Sequence, residues 1–277
     1  MKPRGGATLA VAALLLAACA SLPEVAPAPG MTLTGYLPDT IRDQLATAVL
    51  PNPPDTESQD LAASEAFRAL EGGDRWLMAI THAELRPPYT AQHFDCAAGA
   101  RMTAQPMPAL TRLMTRLQID TVTIGTIARD RSPRLRPAAL DPQRRVCLRL
   151  TGAGRASPSW PSIGAAVGTA YGDLFSDLVP ERSDAIQRIA REIGLSREIC
   201  GLEWPSDVTA GQQLGHAVHA AAAATPAFQD DLALARTEVS AARAPGLESP
   251  GCAAERRLFP TPSRQPVQAG RGAASAP

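Results

Sequence analysis

SWPSIGAAVGTAYGDLFSDLVP, running from Ser159 to Pro180, is the stretch on which the fold turns. Ser159 or Ser162 supplies a cap, Val167, Ala170, Tyr171 and Leu174 recur at helical spacing, and Pro180 ends the run. The same grammar extends outward on both sides. Ser58 opens a predicted helix with Leu61, Ala62, Ala66, Phe67 and Leu70 on one stripe, closed by Gly72-Gly73. Asp74 caps another carrying Trp76, Leu77, Ile80 and Leu85, stopped by Pro87-Pro88. Helices are predicted from Pro108 to Leu117 and from about Asp120 to Arg131. Ser183 starts one through Ile186, Ile189, Ala190 and Ile193, and Ser206 or Asp207 starts one through Leu214, Val218 and Ala221. Thr225-Pro226 caps a last helix to about Arg243, with proline at its first position. No stretch alternates over strand length, so the expected class is all-α, a helical bundle.

The two ends read differently. Lys2 and Arg4 precede an uncharged run from Ala7 to Ala18, shorter than the ~20 apolar residues a membrane-spanning helix needs. A basic start, a short apolar run and small residues make a secretory signal over residues 1–18. Leu16-Ala17-Ala18-Cys19 matches the bacterial lipobox, which implies acylation of Cys19. Several acyl chains on one residue anchor firmly, since each buried methylene contributes ~0.8 kcal/mol. Residues 19–31 read as a Pro/Ala-rich tether. The neutral Ala20 after the cysteine resembles lipoproteins that go on to the outer membrane, which implies a place there, facing the periplasm. From Ala244 to Pro277 the Pro/Ala/Gly-rich composition predicts disorder, leaving 32–243 as the single foldable domain.

The 27 basic and 27 acidic residues cancel, so no basic footprint suggests nucleic acid. Lys2 is the only lysine, and alanine-heavy apolar segments with 4% aromatics suit close-packed helices. Beyond Cys19 there are four cysteines, Cys96, Cys147, Cys200 and Cys252. In an exported chain these predict two disulfides, with three pairings open. The histidines (His82, His93, His216, His219) do not flank them at ligand spacing, and His216 with His219 reads as a surface or packed pair; no metal or cofactor is expected.

Three segments carry the chemistry. Ala128-Arg-Asp-Arg-Ser-Pro-Arg-Leu-Arg-Pro137 places Arg129 six residues before Arg136-Pro137. Ser159-Trp-Pro-Ser-Ile-Gly164 is the second. Gly194-Leu-Ser-Arg-Glu-Ile-Cys-Gly-Leu-Glu-Trp-Pro-Ser-Asp207 is the third. In order and spacing they resemble K-x6-R-P, P-S-G-H and S-R-x5-H-x3-D, the pattern of class A bacterial acid phosphatases. These belong to a superfamily with type 2 phosphatidic acid phosphatases and vanadium haloperoxidases. The third segment is close to the class A run G-x-S-R-x-I-C-G-x-H-W-x-S-D. Leu50-Pro-Asn-Pro-Pro54, Arg75-Trp76, Ala83-Glu84-Leu85 and Thr225-Pro-Ala-Phe-Gln229 add to the likeness, which spans about Tyr36 to Arg243.

The resemblance implies that Arg129, Arg136, Ser162 and Arg197 hold phosphate oxygens, because guanidinium forks match that geometry and stabilise the charge of the transition state. It places the proton-donating histidine at Gly164 and the attacking histidine at Glu203, with Asp207 as the residue that orients the latter. Neither Gly164 nor its neighbours Ile163 and Ala165 can give a proton. Glu203, facing three arginines in a partly buried pocket, is expected to be held ionised and to occupy the anion's place. The predicted function is therefore a catalytically degraded acid phosphatase-like lipoprotein, with phosphate or another small anion as its candidate ligand and the membrane met through Cys19. An active phosphatase of altered chemistry using Glu203, and a structural lipoprotein that binds through its surface, are the alternatives. The motifs also favour pairing Cys147 with Cys200, which lie beside them, with Cys96 and Cys252 open to either.

Overall fold

The structure is a computed structural model and describes residues 33–49, 56–246 and 248–259. The signal and tether with Cys19, the Leu50–Pro54 stretch and the tail beyond 259 lie outside the described residues. The helices among them are α1 (Asp39–Ala48), α2 (Glu57–Ala66), α3 (Asp74–His82), α4 (Asp95–Ala98), α5 (Pro108–Arg131) and α6 (Pro137–Leu140), followed by α7 (Gly152–Ala156), α8 (Ile163–Leu178), α9 (Ser183–Ile199), α10 (Pro205–Ala223), α11 (Pro226–Arg243) and α12 (Cys252–Leu258). No strand occurs among the described residues, so the fold is all-α. No helix there is long and apolar enough to cross a membrane.

The stretch quoted first becomes the central helix. Ser162 Oγ accepts the Ala165 N–H at 3.1 Å and starts α8, which ends against Pro180. Tyr171, Leu174 and Phe175 on it are fully buried, and α5, α9 and α10 pack around it. The α8–α10 crossing is close because α10 offers Gly211 and Gly215. A Cβ on either would fall 2.2 Å from the Ser162 carbonyl oxygen or 2.4 Å from that of Ala166. α11 opens on the Thr225 cap with Pro226 at its first position and lies along α5.

Three expectations change. The helices predicted to break between Leu117 and Asp120 are one helix, α5. Asp120, the predicted start of the second helix, is a buried acceptor in mid-helix, taking the Leu37 N–H at 3.2 Å and Arg42 Nε at 2.9 Å, so it ties the segment before α1 to α5. On α2 the predicted apolar stripe is exposed at Leu61 (48%), Ala62 and Ala66, while Asp60 and Ser64 are buried; Phe67 and Leu70, past the end of the helix, pack beside Trp76 and Ile199. Polar bonds described below dock that helix and override its weak amphipathicity. Finally, the expected disorder from 244 onward does not hold over 252–258, where α12 forms. A Cys96–Cys252 disulfide ties it to α4, and Phe259 is buried with its ring stacked 6.2 Å from that of His82. A covalent tie and one buried ring outweigh the composition of the segment. The second disulfide joins Cys147 to Cys200.

Candidate functional site

Three separate elements each deliver one arginine to the same place. Arg129 is in the last turns of α5, Arg136 precedes the first residue of α6, and Arg197 lies in the last turn of α9. After α9 the chain reverses at Gly201, whose φ of +66° lies in the left-handed region that glycine tolerates. The Leu202 and Glu203 amides then turn back onto the Arg197 carbonyl at 3.1 and 3.4 Å. The reversal aims Glu203 inward, where it is 1% exposed.

Glu203 Oε1 accepts from Arg136 Nη1 at 2.7 Å and from Arg197 Nη2 at 3.3 Å, and Oε2 accepts from Arg197 Nε at 3.0 Å. Arg129 Nη2 stands 3.7 Å from Oε1. Other N–H groups of these arginines find the backbone. Arg136 donates to the carbonyls of Leu202 (2.8 Å) and Pro158 (3.1 Å), and Arg129 donates to that of Pro161 (3.1 Å). Burial by itself raises the Glu203 pKa, but the charges of Arg197, Arg136 and Arg129 together outweigh it and hold the carboxyl below its usual range. Burial also lowers Arg129 to about 10, partly opposed by Glu203 and reinforced by the other two cations. It remains charged at neutral pH. The cluster therefore holds more positive charge than its one carboxylate cancels.

Gly164 lies directly under Arg197: an ideal Cβ there would be 2.5 Å from Arg197 Nε and 2.9 Å from Cδ and Cζ. Ser162 also belongs to this end of α8, with its N–H on the Asp207 carbonyl at 2.9 Å and its hydroxyl accepting from Ala165. Asp207 takes a different course. Its Oδ2 accepts the Trp204 N–H at 2.8 Å at the start of α10, and its Oδ1 accepts from Arg134 Nη1 at 2.8 Å. Arg134 also reaches Asp60 at 2.7 Å and the Ser206 hydroxyl at 2.8 Å, and it lies 5.4 Å over the Trp204 ring. These groups form a second charged cluster beside the first. There, burial pushes Asp207 up to about 6 against the pull of the Trp204 amide, Arg134 and the Ser159 hydroxyl. Burial, then the charges of Asp60 and Asp207, push Glu198 up to about 7.

No protein-family profile matches the chain. Relatives with names do. An acid phosphatase of Zymomonas mobilis is 30% identical over 198 residues, covering 69% of this chain and 74% of that one. Non-specific acid phosphatases of Providencia stuartii and Salmonella typhimurium are each 31% identical, over 196 and 206 residues, covering 69% of this chain and 79% and 78% of theirs. This chain belongs to the acid phosphatase family.

Within that family member, Arg129, Arg136, Arg197 and Glu203 converge, Ser162 and Gly164 adjoin them, and Asp207 joins the neighbouring cluster. None of the four histidines is bonded to Glu203. His82 Nδ1 pairs with the Ser196 hydroxyl at 2.9 Å and His93 Nε2 with the Glu84 carbonyl at 2.8 Å. His216 and His219 pair with Asp173 and Asp177 at 2.7 and 3.0 Å. No group of three histidine, cysteine or acidic side chains among the described residues is placed to hold a metal. A cavity of ≈ 730 Å³ lies between α1, α2 and α10, bordered by Asp60 and Trp160, and one of ≈ 380 Å³ lies at Arg134 and Trp204. Neither is lined by the Glu203 cluster. Sequence reasoning missed Arg134 and Asp60. Arg134 is one of four arginines between 129 and 136, and nothing in the spacing separates it from Arg131. Asp60 sits in a first helical turn, where an acid is ordinary.

Proposed function

We propose that this acid phosphatase-family protein has lost hydrolysis and that Glu203 stands where a phosphate would be held. Acyl groups on Cys19 then fix it to the bacterial envelope, on the periplasmic side of the outer membrane. The observation that carries the reading is the position of the Glu203 carboxylate, solvent-inaccessible and within 2.7–3.7 Å of all three guanidiniums. A carboxylate so bonded is a poor nucleophile, since both oxygens already accept from cations. Gly164 has no proton to give a leaving alcohol, and Asp207 is spent on Trp204 and Arg134. A phosphate dianion approaching this site meets a fixed negative charge at its centre. The surplus cationic charge keeps a small anion as the candidate ligand once Glu203 yields.

The test is phosphomonoesterase activity of the purified protein on para-nitrophenyl phosphate across acid pH. No turnover above background is expected, and Gly164→His with Glu203→His together is expected to raise it. Turnover in the unaltered protein that Glu203→Ala abolishes would overturn the reading in favour of an active enzyme using that carboxylate. For the anchor, labelled palmitate is expected in the wild-type chain and not in Cys19→Ala; equal labelling of both removes the lipid from the proposal.

A further inference from the structure

Two features of the cluster meet at one atom. Arg197 Nε donates to Glu203 Oε2 at 3.0 Å. The same Nε is the nearest neighbour, at 2.5 Å, of the position a Cβ on residue 164 would take, with Cδ and Cζ next at 2.9 Å. Real Cβ atoms do not approach other heavy atoms so closely. The Arg197–Glu203 bond therefore exists in the space that a side chain at 164 would need. We propose that Gly164 is the positioning residue that closes this site, because its missing side chain is what lets Arg197 fold across the start of α8 and clamp Glu203. The inference rests on the reading of Glu203 as the internal occupant of an anion site, and goes beyond it by making the two positions interdependent.

The clamp has a defined counterpart when opened. With a methyl group at 164, the atoms obliged to move are the end of a flexible arginine, so the helix need not shift. Alanine also suits the first turn of a helix at least as well as glycine. Glu203 would then keep Arg136 at 2.7 Å and the more distant Arg129 at 3.7 Å. Arg197 would lose both of its bonds to the carboxylate, at 3.0 and 3.3 Å. Releasing a charge-assisted hydrogen bond weakens the internal occupant by about tenfold or more against a competing anion. The competitor that fits is a tetrahedral oxyanion, whose several acceptors match more than one guanidinium fork.

Calorimetric titration of the purified full-length chain with orthophosphate tests this in four forms: wild type, Gly164→Ala, Glu203→Gln and both together. Binding at least tenfold tighter than wild type is expected for each single change, and the double variant is expected to gain nothing over Glu203→Gln, because with no carboxylate there is no clamp left to release. The Arg197 Nε–H proton resonance, protected in the wild type, is expected to vanish or shift in Gly164→Ala. Wild-type affinity in Gly164→Ala, fully additive gains, or an unmoved Arg197 resonance would each overturn the inference while leaving the occupancy reading intact. Unchanged affinity in Glu203→Gln would instead sink the occupancy reading. If Gly164→Ala fails to fold by circular dichroism, the wild type still tests the clamp: its Arg197 Nε–H is expected to resist solvent exchange, and exchange at the rate of a free guanidinium would overturn the inference.

Discussion

Glu203 and Asp207 are four residues apart and both sealed from solvent, yet their surroundings push them in opposite directions. Burial works against the charged form of each. Around Glu203 three guanidiniums overcome it, and the carboxyl is held below its usual range. Around Asp207 one guanidinium, one backbone amide and the Ser159 hydroxyl do not, and the pKa settles near 6. The nearby Asp60 is of the wrong sign to help. The lesson is that the number of cations a fold can aim at a carboxylate, not its depth, decides whether it stays charged. An anion site is a place where cations outnumber what they hold, and of these two clusters it is the Glu203 one that qualifies.

The largest effect should come from emptying that cluster. Glu203→Ala leaves three mostly buried guanidiniums with no carboxylate among them, and breaking a buried ion pair this way costs ~3–5 kcal/mol. Urea unfolding of the variant should show a loss of that order, with millimolar phosphate restoring part of it by binding the folded state. A loss below about 1 kcal/mol would mean that the arginines are already balanced by something other than Glu203.

The next effect sharpens the comparison through pH. A carboxyl with a raised folded pKa contributes stability that is complete below its unfolded value and lost as pH rises toward the folded one. For Asp207 that window runs from 3.8 to about 6, worth at most ~3 kcal/mol at ~1.4 kcal/mol per pH unit. Glu203, with a lowered pKa, has the opposite sign: its contribution is present above 4.5 and lost as pH falls below that. Glu198 shares the first slope up to about 7, so the absolute curve is a composite. The difference between wild type and Asp207→Asn isolates one limb. Subtracting the two stability curves should leave a fall between pH 4 and 6 and little change below 4. A difference that grows toward acid instead would show that Asp207 is held ionised, like Glu203.

Much of the first cluster was legible in the sequence, and almost none of the second. The three arginines of the first were legible through the resemblance to the acid phosphatase pattern, which singles out Arg129, Arg136 and Arg197 among their neighbours. Asp60, Arg134 and Ser206 meet only because α2 docks by its polar face, and its sequence suggested the reverse face. Helix class was plain throughout, since no segment alternated. The unbroken length of α5 was not, because Asp120 looks the same in sequence whether it caps a helix or accepts a distant Arg42. The α12 helix hid behind a disordered composition, and only Cys252 hinted that the segment was tied down. Gly164 shows a subtler limit: its sequence says what chemistry is missing, whereas its contact with Arg197 says what moved into the space.

The smallest effect concerns the residue shared by both clusters. Ser162 takes its N–H to the Asp207 carbonyl and gives its hydroxyl oxygen to the Ala165 amide, so its side chain serves the start of α8. If that is its whole role, Ser162→Ala should cost the ~1 kcal/mol typical of a lost helix cap, with no change in phosphate affinity when Glu203→Gln has opened the site. A tenfold loss of phosphate binding in that background would show that the hydroxyl turns from helix to ligand once the space is free. Ser162 would then belong with the arginines as part of the anion site. The backbone bond to Asp207, which alanine retains, keeps the two outcomes separable: stability reports the cap, and affinity reports the ligand.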